Sequence, residues 1–188
     1  PLRDSFPNLA TISMGEVVRE VKVVGPAHRF WNQLHDSIAI ADAGGIAPDG
    51  PIFECLTKLI TEQFDKGMET VVWVAGPRSE QQLNWLDTWT KDCGYQEQFV
   101  YVDVPDETVY ERVTERAAHQ REDDKVVPYR LGEFERITKP VIDRLREQGR
   151  IHEIGGLGGK EAVGRRAVEL FMPRQNEYEP TLPMMARR

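Results

Sequence analysis

Three short strand-like segments recur along this chain, the first two of them apolar runs, and each is followed by a segment with helical periodicity. They are "TVVWVAG" from Thr70, "QFVYVDVP" from Gln98 and "RIHEIG" from Arg150. Continuous apolar runs of this length are typical of strands buried on both faces. Strands that alternate with helices predict an α/β fold, here a three-layer parallel sheet with helices on both faces.

Helical periodicity also predicts structure before the first of these strands. "TISMGEVVREV" has apolar residues near helical spacing, with Ser13 as its N-cap. "FWNQLHDSIAIADAGG" predicts a helix that ends at Gly44 and Gly45. "APDGPIFECLTKLITEQFDKG" predicts another, capped by Asp49 or Gly50. The segment before Thr11 is expected to be a connector.

The later helices are interleaved with the strands. "SEQQLNWLDTWTKDCG" predicts one, and "DETVYERVTERAAHQR" predicts another with Asp106 as its N-cap. "VPYRLGEFERITKPVIDRLREQG" predicts a long helix that is interrupted near Pro140, and "KEAVGRRAVELF" a last one. The proline-containing tail, residues 172–188, predicts an extended arm that becomes ordered only on a partner.

Composition limits the class of protein. Apolar residues make up 40% and charged residues 29% of the 188 residues, which is typical of a globular protein. The formal net charge of −7 argues against a general nucleic-acid surface. Two cysteines, Cys55 and Cys93, are too few for a disulfide scaffold and favour a reducing, intracellular compartment. No apolar run reaches the roughly 20 residues that span a bilayer.

An arginine stands directly after the first of the three strands. Arg78 follows "TVVWVAGP", and ligands of open α/β sheets bind beyond the carboxyl ends of the strands. An arginine at that place is suited to an anionic ligand, because it stays charged and donates pairs of hydrogen bonds. A salt bridge to a neighbouring helix is the alternative interpretation.

Six segments in serial order resemble adenylate kinases and related nucleoside monophosphate kinases. They are "ISMGEVVREV", "GGIAPD", "VVWVAGPRSEQQ", "VYVDVPDETVYERVTER", "REDD" and "YRLGEFERITKPVIDRLREQGRIHEIGG". Together they extend from about Leu9 to Phe171. The resemblance implies a P-loop kinase-like fold with a core over residues 1–171. It also implies a monophosphate-binding part over about 12–67 and a short lid over about 117–129, without a four-cysteine zinc insertion.

The same resemblance suggests roles for individual residues. Arg78 and Arg19 match the arginines that hold the phosphate of the monophosphate, and Gln82 matches the glutamine that reads adenine. "REDD" resembles the start of the lid and supplies Arg121. Arg130 matches the arginine on the helix after the lid, and Arg116 matches a further lid arginine. The catalytic set implied for phosphoryl transfer is therefore Arg116, Arg121 and Arg130.

Several departures from the family pattern bear on activity. No GxxxxGK[ST] loop occurs in the chain, and the family's first strand, which carries that loop, is not expected here. Val74 stands where the family has the aspartate that positions Mg²⁺ through water, and Met14 stands where it has a threonine. Ala75 and Gly76 replace a Gly-Phe pair. ATP and Mg²⁺ are therefore expected as ligands only if a P-loop is supplied from elsewhere.

Other candidate motifs carry less weight. The glycine-rich turn before Lys160 resembles an anion-binding loop, but Ile154 stands at the first glycine position and Glu161 follows the lysine. The four histidines show no zinc-ligand spacing. Asp103 is expected to cap or bond a loop, and the four tryptophans to pack in the core.

Two functional hypotheses follow, from different classes. The favoured one is a degenerate adenylate kinase-like domain that acts as a structural or nucleotide-sensing module in a larger assembly. AMP or a similar nucleotide is its expected ligand, and a protein partner is expected to fill the missing strand position and to bind the C-terminal arm. The alternative is an active kinase (ATP and AMP to two ADP) whose P-loop lies in residues before Pro1 or in a companion chain.

Overall fold

The computed structural model describes residues 5–43, 45, 47–117 and 127–171. In this part the strands are β1 Leu9–Ser13, β2 Thr70–Val74, β3 Phe99–Asp103 and β4 Ile151–Gly155. The α-helices are α1 Met14–Val24, α2 Trp31–Asp42, α3 Asp49–Asp65, α4 Glu80–Cys93, α5 Asp106–Ala117, α6 Val127–Glu133, α7 Lys139–Glu147 and α8 Lys160–Phe171. The predicted lid segment 118–126 and the predicted arm 172–188 lie outside the described residues.

The strands form two parallel pairs. β1 pairs with β2 from Leu9 opposite Thr70 to Ser13 opposite Val74. β3 pairs with β4 in the same way, from Phe99 opposite Ile151 onwards. The predicted α/β class with parallel strands is therefore confirmed. Among the described strands β2 and β3 are not hydrogen-bonded to each other, so the single continuous sheet that the sequence predicts is present as two pairs.

Burial of the strands differs from the prediction. Val74 of β2 is 44% exposed and Val102 of β3 is 42% exposed. The apolar runs had predicted strands covered on both faces, and that prediction is wrong for these two positions. The physical reason is that each strand is paired along one edge in the described structure, so its far edge lacks a neighbouring strand that would cover it.

A strand that the sequence does not predict precedes α1. Leu9, Ala10 and Ile12 of β1 are buried, and the helix predicted with Ser13 as its N-cap begins at Met14. Residues 9–13 are therefore neither a connector nor the first turn of a helix. Ser13 does occupy the N-cap position of α1, but its side chain forms no capping hydrogen bond.

The long predicted helix is interrupted as expected. α6 ends at Glu133, a π-helical turn covers Phe134–Thr138, and α7 begins at Lys139 with Pro140 in its first turn. Proline is tolerated there because its missing N–H lies in the first turn, where helical N–H groups have no intrahelical partner.

Two apolar clusters stabilise the fold. The first joins β1 with α1, α2 and α3; its fully buried members are Val21, Leu34, Cys55 and Leu56. The second joins α4, β3 and α7 through the buried residues Leu83, Phe99, Val141 and Leu145. Helix α4 contacts both, because Trp85 and Trp89 on the same helix pack against the first cluster. α4 therefore holds the two strand pairs together.

Candidate anion-binding site

The loop after β2 presents the arginine that the sequence singled out. Arg78 lies four residues beyond the end of β2, and its Nε donates a 2.8 Å hydrogen bond to the carbonyl of Ala75. Among the described residues Arg78 forms no ion pair with a carboxylate. The alternative interpretation, a salt bridge to a neighbouring helix, is therefore not seen there, and the terminal nitrogens Nη1 and Nη2 are available for a ligand.

Hydrogen bonds hold the backbone of Arg78 at both its N–H and its carbonyl. The Arg78 N–H donates to Oε1 of Gln82 at 2.7 Å, and the Arg78 carbonyl accepts from the Thr138 hydroxyl at 3.1 Å. Because Thr138 belongs to the π-helical turn, this contact ties the loop to the segment that carries α6 and α7.

Ser79 begins α4 as a capping residue. Its hydroxyl accepts a hydrogen bond from the Gln82 N–H at 3.1 Å, which satisfies one of the free donors of the first turn. Serine at the N-cap with glutamine three residues later is the sequence signature of a capping box. Here the glutamine carbonyl reaches the N–H of Arg78 rather than that of Ser79 itself.

Gln82 is buried and fully oriented by its neighbours. It is 3% exposed, and its Nε2 donates to Oδ1 of Asp49 at 2.7 Å while its Oε1 accepts from Arg78. A second Asp49 oxygen, Oδ2, accepts from the Ser79 hydroxyl at 3.0 Å. The glutamine thus already uses one donor and one acceptor within the protein, which leaves one of each for a ligand.

Two further arginines lie on elements next to this loop. Arg19, on α1, is exposed and forms no hydrogen bond or ion pair among the described residues. α1 follows β1, whose end is paired with the end of β2, so both arginines follow the carboxyl ends of neighbouring strands. Arg130, on α6, is exposed.

Electrostatics connects Arg130 to the loop. Burial lowers the pKa of Arg78 below its ordinary value, and the positive charge of Arg130 lowers it further. Both causes disfavour the charged form, and an anion placed between these guanidinium groups would relieve both. The arrangement is therefore suited to binding a phosphate or another compact anion.

Comparison with known proteins shows the family of this chain. A family model described as an AAA domain matches residues 34–139, which is more than half of the chain. The chain belongs to this family. Several relatives identify it further as an adenylate kinase-like member.

These relatives are bacterial. The adenylate kinase of Leifsonia xyli subsp. xyli is 34% identical over 132 residues, which cover 68% of this chain. That of Clavibacter michiganensis subsp. michiganensis is 32% identical over 134 residues. In each case the match covers 65% of the relative, slightly less than two thirds of its length. The adenylate kinase of Leptospira biflexa is 27% identical over 161 residues, 83% of this chain and 82% of the relative.

The remaining predicted site residues of this adenylate kinase-like domain are only partly described. Arg116 lies near the end of α5, where the backbone alone is described. Arg121 lies outside the described residues, as do the acidic residues of "REDD". The structure therefore brings Arg78, Gln82 and Arg130 together and does not test the other two members of the expected catalytic set.

Polar groups that the sequence analysis did not assign to the site also contribute. Asp49 was predicted only as a helix cap, yet Pro48 occupies the N-cap position of α3 and the Asp49 carboxylate bonds Ser79 and Gln82 instead. The capping-box pattern from Ser79 to Gln82 would have indicated that this glutamine has a local partner. No sequence signal indicates Thr138, whose contact with Arg78 spans 60 residues.

The glycine-rich turn after β4 presents carbonyl oxygens, which are acceptors, rather than hydrogen-bond donors. Arg112 donates to the carbonyls of Gly156 and Gly158, at 2.8 and 3.2 Å. Arg166 donates to the carbonyls of Gly155 and Leu157, at 2.6 and 2.8 Å. A loop that binds phosphate must present N–H groups. These four carbonyls instead accept hydrogen bonds from two arginine side chains of the protein itself.

A separate cavity of about 260 Å³ lies beside the end of β3, and Arg19, Arg78 and Arg130 do not line it. Asp103 forms part of its wall, and the other residues of the wall include both acidic and basic side chains. In the described structure the Asp103 carboxylate neither caps a helix nor bonds a loop, and its backbone carbonyl accepts from the Gly156 N–H instead.

Metal-binding clusters and membrane-spanning helices are absent from the described residues. Among the described residues, no cluster of three or more His, Cys, Asp or Glu side chains could hold a metal ion. No helix in the same part of the chain has the length and apolar character needed to cross a membrane. Cys55 and Cys93 are both free, the first buried and the second exposed.

Proposed function

We propose that this nucleotide kinase-like domain binds a nucleoside monophosphate and acts as a nucleotide-sensing module that is degenerate as a phosphotransferase. AMP is the ligand expected from the adenylate kinase resemblance. The observation that carries the proposal is the half-buried Arg78, which has no carboxylate partner among the described residues and lies within electrostatic reach of Arg130.

Arginine is the residue type best suited to this task. A guanidinium group binds two phosphate oxygens at once and remains charged even where burial lowers its pKa. Holding an unpaired guanidinium in a half-buried loop carries a desolvation cost. Arg19 adds a second arginine on the neighbouring element, and it is also free of partners in the described structure.

The base of the nucleotide is proposed to lie against Gln82. Its remaining N–H and carbonyl lone pair form the donor and acceptor pair that the edge of adenine needs. The amide is 3% exposed, so access to it requires a shift of the loop that covers it.

Calorimetric titration with AMP tests the binding proposal. Arg78→Ala is expected to raise the Kd for AMP by about 10- to 150-fold, since a hydrogen bond to a charged group contributes roughly 1.5–3 kcal/mol. Arg165→Ala, which removes an exposed arginine on α8, is the matched control and should leave the Kd unchanged. Absence of heat from the unmodified protein at millimolar AMP would end the sensor proposal.

Two positions support the degenerate interpretation. Val74, where the family resemblance expects a metal-positioning aspartate, ends β2 with an aliphatic side chain that offers no oxygen to metal-bound water. Met14 is 7% exposed and packs in the first cluster, so it contributes no hydroxyl to the ligand. The described residues therefore do not fit a Mg²⁺ site, and no transfer step is assigned to them. A coupled assay for ADP formation from ATP and AMP tests this point, and sustained turnover by this chain alone would defeat it.

One structural observation favours the alternative, an active kinase completed from elsewhere. Helix α4 connects β2 to β3 along the chain. Each of these two strands has an unpaired edge in the described structure, and Val74 and Val102 are exposed. Because neighbouring strands lie about 4.8 Å apart, one further parallel strand inserted between them would join the two pairs into a five-stranded sheet. We propose that residues before Pro1 or a protein partner supply this strand, and that the segment 172–188 contributes to docking.

Hydrogen exchange tests the strand proposal. Addition of the completing segment should slow amide exchange at those alternate residues of β2 and β3 whose N–H groups face the unpaired edge, and should leave β1 and β4 little changed. Protection of all four strands equally would indicate a general gain of stability instead. ADP formation that appears only with the completing segment would favour the active kinase over the sensing module.

A further inference from the structure

A carboxylate remote in sequence holds the candidate arginine loop. Asp49 is the first residue of α3, and its two oxygens accept hydrogen bonds from Gln82 Nε2 and from the Ser79 hydroxyl, at 2.7 and 3.0 Å. Both partners lie at the start of α4, about 30 residues further along the chain. The contact therefore ties the N-termini of two helices together directly beside Arg78.

The charge of Asp49 determines which way the Gln82 amide points. An ionised carboxylate can only accept hydrogen bonds, so the glutamine must turn its NH₂ group toward it. The carbonyl oxygen then faces the Arg78 N–H, at 2.7 Å. A reversed amide would place oxygen against the carboxylate and NH₂ against N–H, and at 3% exposure water has little access to relieve either clash.

The orientation of this amide in turn sets the position of the arginine. Gln82 holds the Arg78 N–H, Thr138 holds its carbonyl, and the Ala75 carbonyl holds its Nε. Of these three contacts, the first depends on a side chain that Asp49 orients. Removal of the carboxylate would release the amide and with it the backbone of Arg78.

We propose that Asp49 is a positioning residue for the anion site, which acts on Arg78 through the Gln82 amide. As far as the ligand is concerned, this inference rests on the proposed monophosphate binding. The positioning role itself concerns the protein without ligand and is tested separately.

The first measurement is amide hydrogen exchange without ligand. Asp49→Ala should accelerate exchange of the Arg78 N–H by about tenfold or more, because a hydrogen bond within a charged network is lost. Asp49→Asn should restore most of the protection, since its Oδ1 can still accept from Gln82 Nε2 and its NH₂ can donate to the Ser79 hydroxyl. Asp42→Ala, which removes an exposed ion pair with Lys22, is the matched control.

The second measurement is the Kd for AMP in the same variants. Asp49→Ala should weaken binding by about tenfold, Asp49→Asn much less, and Gln82→Ala combined with Asp49→Ala no more than Gln82→Ala alone. This non-additivity separates positioning through Gln82 from a general loss of stability, which would add to the effect of Gln82→Ala.

The outcomes are distinguishable. Unchanged exchange at Arg78 in Asp49→Ala, or equal acceleration in Asp42→Ala, would overturn the positioning role. Faster exchange with an unchanged Kd would also overturn it, because the guanidinium would then not depend on the loop. If the unmodified protein binds no AMP, the proposed function fails, and exchange in the three variants still decides whether Asp49 holds Arg78. If Asp49→Ala does not fold, Asp49→Leu replaces it, because leucine is similar in shape to aspartate and has no acceptor for Gln82 or Ser79. Asp49→Leu must then accelerate exchange of the Arg78 N–H, and unchanged exchange there would overturn the proposal.

Discussion

The buried thiol of Cys55 makes the stability of this domain depend on alkaline pH. Cys55 lies on α3 with no exposed surface, in the first apolar cluster. Burial, and to a lesser extent the nearby charge of Glu54, raises the pKa of the thiol from its ordinary value of 9.0 to about 11. A buried thiolate is disfavoured because the surrounding side chains cannot solvate its charge.

The direction of the effect follows from where each state ionises. Below pH 9 the Cys55 thiol is protonated in both the folded and the unfolded chain, and the folded state keeps its full stability. Between pH 9 and about 11 the unfolded thiol ionises while the folded one does not, so stability is lost as the pH rises. With 1.36 kcal/mol per pKa unit, the loss is about 1.4 kcal/mol at pH 10 and approaches about 2.7 kcal/mol above pH 11.

Urea unfolding under reducing conditions from pH 7.5 to 11 measures this loss. Cys55→Ala is expected to be roughly 1 kcal/mol less stable than the unmodified protein at pH 7.5, as is usual for a truncated buried side chain. This deficit should shrink and then reverse as the pH rises, because the variant has no thiol to ionise. Cys93→Ala, at an exposed position, should follow the unmodified protein throughout.

A deficit that stays constant across this range would refute the reasoning. Apart from the Cys93 thiol, the other groups that titrate at alkaline pH are present in the unmodified protein and in Cys55→Ala alike, so they cancel in the difference between these two. The result therefore reports the Cys55 thiol alone, and a constant difference would mean that it ionises as easily in the folded chain as in the unfolded one.

Two other substitutions test packing and charge. Gly76→Ala would place a Cβ atom 2.2 Å from Cε2 of Trp73, so the free energy of unfolding measured in urea should fall by about 1–3 kcal/mol, and an unchanged value would show that the tryptophan moves freely. Arg150→Met removes the shared partner of Asp87 and Glu97, which leaves two carboxylates side by side. Stability should fall by about 1–2 kcal/mol at pH 7. Burial and the neighbouring Asp87 raise the pKa of Glu97, so the loss should shrink once acidification protonates this carboxyl, and a loss that stays equally large would contradict this account.

The sequence predicted three of the four described strands: β2 and β3 are apolar runs followed by turn residues, and β4 is a short segment between two helices. β1 was missed for a physical reason. "LATIS" is short, so its first two residues were assigned to a connector. Ile12 is spaced from Val17, Val18 and Val21 as on a helix, so it was grouped with the helix that follows. The strand forms because it pairs with β2, a contact across about 60 residues that local periodicity does not report.

Burial of the strands could not be predicted for a similar reason. An apolar run shows which residues can be buried, but coverage depends on which strands and helices lie on either side. Val74 and Val102 belong to apolar runs and are nevertheless exposed, because β2 and β3 each lack a second neighbour in the described structure. The sequence therefore indicated the class of the fold, whereas the degree of exposure depends on packing that no local pattern reports.

The candidate site divides along the same line. The place of Arg78 follows from the end of an apolar run, and its role follows from the chemistry of guanidinium groups. The partners of Gln82 did not follow, because Asp49 lies 33 residues away and reaches it only through the packing of α3 against α4. Asp49, which the sequence predicted only as a helix cap, is thus the carboxylate proposed to orient the loop.

The loops after β2 and β4 show why glycine content is a poor guide to anion binding. Both follow the carboxyl end of a strand, and the glycine-rich one after β4 looks more like a phosphate loop in sequence. Its carbonyls, however, are bound by Arg112 and Arg166, so its exposed polarity is already matched by cations. The loop after β2 has few glycines, yet its arginine has no carboxylate partner among the described residues. What remains unsatisfied at a strand end, donor or acceptor, decides which ion can bind there, and on that criterion phosphate binding is expected at Arg78 and not at the turn after β4.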